Sequence, residues 1–118
     1  KEIVENDLPD GLSVAFMGTG GLSHDPGGPK YFDVDEEFDR WFLDILEQGD
    51  PEVVLRECTI EKMVAAGDGG TSELIAWIAA MGAVGNREAH TICYEPAVEL
   101  RCGMGCVYWD MEKEAAHA

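Results

Sequence analysis

The chain has 118 residues, 46% of them hydrophobic, which is enough for one domain with a packed interior rather than a disordered segment. Its 24 acidic side chains against 8 basic ones leave a formal charge of −16. That balance argues against nucleic acid or an anionic membrane as partner, because phosphate binding needs clustered Lys and Arg, and the dispersed acidic residues read as a solvated surface.

No apolar stretch approaches the ~20 residues of a membrane span, and the opening KEIVENDLPDG lacks the charged and apolar regions of a signal peptide. A cytoplasmic protein is expected. KEIVEN itself reads as the last turn of a helix. Residues 12 to 17, LSVAFM, lie between Pro9-Asp10-Gly11 and Gly18, the pattern of a short buried strand. His24 then falls just past a strand's carboxyl end, the edge at which open α/β sheets bind ligands. Two prolines and two glycines in residues 25 to 31 make a loop.

Asp33 and Glu36 resemble a capping box, and Phe38, Trp41, Phe42 and Ile45 recur at helical spacing, which predicts an amphipathic helix over about 35 to 48. Gly49 and Pro51 stop it. A helical turn over 52 to 57, a short helix capped by Thr59 and running to about Ala66, and a break at Gly67-Asp68-Gly69-Gly70 follow. With Thr71 or Ser72 as cap, Leu74, Trp77, Ile78 and Met81 keep helical spacing until Gly82 and Gly85. Strands are predicted over His90 to Tyr94 and Cys106 to Trp109, joined by a glycine-containing turn, with 111 to 118 as a frayed tail. The class is α/β. So few strands do not obviously close a sheet, and the chain reads either as a single domain or as the C-terminal portion of a larger one.

Cys58, Cys93, Cys102 and Cys106 are expected as reduced, buried thiols, since a chain with this much core needs no disulfide staple. Their spacing, even with His90, is not that of a zinc site. GTGG lacks the Lys-Ser/Thr ending of a phosphate loop, but Gly20 and Gly21 let backbone approach a ligand and suit the wall of a small-molecule pocket. Ser23 is not framed as a hydrolase nucleophile, which weakens a rival reading as a metal-independent hydrolase acting through Ser23 and His24. From the residues alone, His24 is either functional or a loop histidine bonded to backbone, and Glu73 suits the first turn of a helix.

Three segments in order, GTGGLSHD (18 to 25), EEFDRWFLD (36 to 44) and GDGGTSELIAWIAAMGAVG (67 to 85), resemble the catalytic subunit of the class II extradiol ring-cleaving dioxygenases, of the protocatechuate 4,5-dioxygenase and gallate dioxygenase type. The resemblance covers about residues 11 to 95. It implies the C-terminal portion of a mixed-sheet αβα catalytic domain, and a non-haem Fe(II) held by two histidines and one glutamate, with a catechol-type ring and O2 as substrates. On this sequence the glutamate ligand falls on Glu73 and the acid/base histidine on His24. Gly20, Gly21, Ser23 and His90 are the expected substrate-binding residues. In that family the two histidine ligands lie in an N-terminal half, and neither His90 nor His117 matches a ligand motif. The isolated chain is therefore expected not to retain Fe(II), and to need an N-terminal half or a second subunit as partner in an oligomer. The ring-recognising wall departs from the family at Glu95, Ala97, Val98 and Glu99, with Arg101 as a possible charge for a ring substituent. The alternative is a non-catalytic binding or assembly module built on the same fold.

Overall fold

The computed structural model describes residues 2 to 112. The outer part of the expected tail, 113 to 118 with His117, lies outside the described residues. Five helices are present among them: α1 (Glu2–Asn6), α2 (Glu36–Glu47), α3 (Pro51–Glu57), α4 (Ile60–Gly67) and α5 (Leu74–Val84), the last preceded by a 3-10 turn, Thr71–Glu73. Two strands, β1 (Ala89–Ala97) and β2 (Cys102–Trp109), form an antiparallel hairpin. No described helix is long and apolar enough to cross a membrane.

Helices α2, α3 and α4 begin where short polar side chains can hold their free N–H groups, while α5 follows its 3-10 turn without the side-chain cap expected at Thr71 or Ser72. Asp35, rather than the expected Asp33, caps α2 by accepting from the Phe38 N–H at 3.0 Å. Asp50 caps α3, with Pro51 in the first turn, and Thr59 caps α4. Gly85, at φ 78°, ends α5 in a backbone region closed to most side chains. The apolar stripe of α2 (Phe42, Leu43, Ile45, Leu46) packs with Val54, Cys58, Met63, Leu74, Trp77 and Met81 into one core. Phe42 and Trp77 meet edge to face, with ring centroids 6.0 Å apart.

Two further expectations change. Residues 12 to 17 form no strand: Leu12, Val14, Phe16 and Met17 are all exposed, Met17 by 84%, since no neighbouring strand pairs with them among the described residues. The hairpin turn contains no glycine; Val98–Leu100 make a 3-10 turn closed by Arg101 in the left-handed conformation, φ 59°. Gly103 and Gly105 instead lie inside β2, where Asp39 crowds the first and Leu22 and Trp77 the second. Ile92 is the extra residue of a bulge in β1. On its other edge, among the described residues, β2 bonds through Gly103, which receives the Leu22 N–H at 2.9 Å and donates to the Ser23 carbonyl at 3.0 Å.

Candidate active site

Two glycine-rich loops, 18 to 25 and 67 to 73, meet at backbone distance. A Cβ on Gly70 would land on the His24 imidazole, one on Gly67 on the His24 carbonyl, and one on Gly20 would stand 2.9 Å from the Glu73 Cβ. The glycines therefore serve the approach of loop to loop, which only a residue without a side chain permits. Thr71, fully buried, clasps the His24 backbone from both sides: its Oγ1 accepts the His24 N–H and donates to the His24 carbonyl, each at 3.3 Å.

The geometry fixes the imidazole. Nδ1 lies 2.8 Å from the Leu22 carbonyl, which can only accept, so Nδ1 carries a proton and the neutral ring presents a bare Nε2. Nε2 faces the Glu73 carboxylate, 3.7 Å from Oε2. That oxygen also receives the Gly21 N–H at 3.0 Å, which holds the carboxylate at the rim of the site. His24 is largely enclosed, its side chain 15% exposed, whereas Glu73 is 54% exposed. One group is sheltered and oriented, the other open to a ligand.

Beneath this pair are carboxylates that the sequence reading passed over. Asp39 is fully buried on α2 and accepts three hydrogen bonds, from the Ser23 N–H (2.7 Å), the Ser23 hydroxyl (3.0 Å) and the Tyr94 hydroxyl (2.8 Å). Burial pushes its pKa up and outweighs those hydrogen bonds, which pull it down. Tyr94 is likewise raised, by burial and then by its bond to Asp39, and stays a phenol. Asp25, also buried, accepts from the Gly69 N–H at 2.7 Å and the Lys30 N–H at 2.9 Å, tying the two loops together from below. A signal for Asp39 was present: it stands three, four and seven residues before Phe42, Leu43 and Leu46, an acid in the apolar stripe of a helix.

Ser23, expected at the substrate, is fully buried; its hydroxyl donates to Asp39 and accepts the Asp35 N–H at 2.8 Å. It holds the loop and offers no nucleophile, which removes the basis of the hydrolase reading. Gly20 and Gly21 lie against Glu73, and the Gly20 carbonyl accepts from Trp77 Nε1 at 3.0 Å. His90 stands on β1 opposite Tyr108, ring centroids 5.0 Å apart, and its partner is that ring rather than the His24 and Glu73 pair. The Arg101 guanidinium covers Tyr31 and Phe32, 4.2 and 4.5 Å from their ring centroids. An apolar cavity of about 660 Å³ opens between residues 14 to 20, α5 and the free edge of β2, with Phe16, Trp77 and Trp109 in its lining; neither His24 nor Glu73 lines it.

The family model for the catalytic LigB subunit of aromatic ring-opening dioxygenase matches residues 3–101, most of the chain and both loops. The chain belongs to the LigB family. No solved structure matches it. The LigB match extends beyond 11 to 95 at both ends and takes in all but the first residue of α1 and the whole hairpin turn. The α/β class stands, with mixed helices and a two-stranded antiparallel sheet. Toward iron, this LigB chain offers an exposed carboxylate at Glu73, but no three His, Cys, Asp or Glu side chains converge among the described residues. One carboxylate does not hold a first-row metal, so these residues alone do not make up the ligand set of an Fe(II) centre.

Proposed function

We propose that this LigB chain carries the proton-handling and carboxylate part of an extradiol ring-opening site for catechol-type aromatic compounds and O2. Two histidine donors to Fe(II) come from outside the described residues, in another part of the subunit or a second polypeptide. The observation that supports this reading is the bare Nε2 of His24, held by the Leu22 carbonyl and aimed at the Glu73 carboxylate 3.7 Å away. Bound Fe(II) supplies a centre at which an aromatic diol and O2 meet. The work of this chain is separate from it. His24 Nε2 is placed to take a proton from a substrate hydroxyl; the imidazolium that forms keeps Nδ1 on Leu22 and gains the neighbouring negative charge of Glu73. Imidazoles take and return protons near neutrality, so the same nitrogen can give the proton back as the ring opens. The enclosure of His24 keeps bulk water from competing for that proton.

The two roles separate by substitution in the assembled, iron-loaded subunit. His24→Ala is expected to cut turnover by ~10²- to 10⁴-fold with iron content unchanged. Glu73→Ala is expected to lose iron and activity together. Equal iron in the two variants, or full turnover without His24, would overturn the assignment. An assembled subunit that takes up no iron and opens no catechol ring would leave the assembly-module reading in its place.

A further inference from the structure

Cys93 and Cys106 are directly opposed residues of β1 and β2, and both are exposed free thiols. Opposed residues of an antiparallel pair present their side chains on one face, with Cα atoms about 4.5 or 5.5 Å apart, inside the range that a disulfide spans. The other cysteines differ. Cys58 is buried, its thiol pushed up to about 11, and Cys102 is half-buried, raised mainly by burial, its Sγ donating to the Gly103 carbonyl at 3.2 Å. Both are poor sources of thiolate, the reactive form. The Ile92 bulge beside Cys93 interrupts the ladder there, so the two strands have local freedom to adjust to a bond.

We propose that Cys93 and Cys106 form an oxidisable dithiol site, closing a reversible cross-strand disulfide when the protein meets a peroxide. One thiolate attacks a peroxide oxygen, breaking the O–O bond to give a sulfenic acid; the second attacks that sulfur and releases water. Two thiols and one hydrogen peroxide become one disulfide and two waters, with two electrons passing from sulfur to oxygen. A small thiol reverses the bond by exchange, as exposed disulfides allow. The closed bond staples the hairpin whose Gly103 carries the Leu22 and Ser23 backbone beside His24.

The test is the intact mass of the full chain after one equivalent of hydrogen peroxide, followed by trypsin, which cuts at Arg101 between the two cysteines. The expected result is the loss of two hydrogens, a link between the peptides on either side of Arg101, and recovery of both thiols with dithiothreitol. Because Cys102 shares a peptide with Cys106, two variants resolve the partner: the link persists in Cys102→Ser and disappears in Cys106→Ser. A link that survives Cys106→Ser, oxygen gained instead of hydrogen lost, or cross-linking only between chains would overturn the proposal. Because none of these readouts depends on iron or turnover, the proposal fails or stands apart from the ring-opening reading.

Discussion

Asp39 is the residue on which the candidate site rests most heavily. Its removal leaves the buried Ser23 N–H and hydroxyl and the partly buried Tyr94 hydroxyl without their acceptor, so Asp39→Ala is expected to lose about 3 kcal/mol in urea unfolding. It should also move the His24 imidazole resonances, since Ser23 precedes His24. The pH dependence has a definite sign. Folding raises the pKa of Asp39 above 3.8, so the folded state binds the proton more tightly than the unfolded one. Its contribution to stability is complete below 3.8 and is lost as pH rises through the folded value. Asp39→Asn does not titrate, so the stability of the wild type relative to this variant should fall with rising pH over that window; a difference that grows with pH would count against burial as the dominant cause. The partners of Asp39 were hidden from the sequence because Ser23 and Tyr94 lie 16 and 55 positions away.

At the scale of elements, the helices were legible because their signals are local. The cap at Thr59, the α2 stripe and Gly85 at the end of α5 each act within a few residues, whereas the Asp50 cap of α3 was not read from the sequence. Strands depend on partners, and the apolar run at 12 to 17, with none described, is no strand, whereas β1 and β2 reach further than their apolar centres indicated because each satisfies the other's backbone. The motifs single out His24 and Glu73 but not their mutual distance, since that depends on two loops 49 residues apart folding together. The hairpin turn offers its own test. Arg101 bears the left-handed cost while its guanidinium covers two rings. Arg101→Ala keeps the strain and loses the ring contact, and should lose about 1 kcal/mol by thermal or urea unfolding. Arg101→Gly loses the contact but relieves the strain, and should be more stable than the Ala variant by about 1 kcal/mol. Equal stability of the two would show that the turn holds no strain.

As a whole, the molecule exposes more than its mass requires. Its accessible surface is 7379 Å², where a compact monomer of 12.9 kDa has about 6,300 Å². Its radius of gyration is 15.2 Å against about 13.5 Å for a compact chain of this length. The excess includes Leu12, Val14, Phe16 and Met17 beside the cavity, with Tyr108 and Met111 across it. Such a surface favours association. Sedimentation velocity is expected to show concentration-dependent self-association of the isolated chain, reduced in the Val14→Ser, Phe16→Ser double variant; a wild type that stays monomeric at every loading would refute this. The free edge of β2 carries a further consequence. MGCVYW, residues 104 to 109, is six residues without charge or proline, next to a row of backbone donors and acceptors that is open among the described residues. That is the composition of a steric zipper, with Arg101 and Asp110 as the charged gatekeepers on either side. Left uncovered, the strand that supports the 18 to 25 loop is also a template for amyloid growth, so a chain made without a partner on this edge risks inclusion bodies.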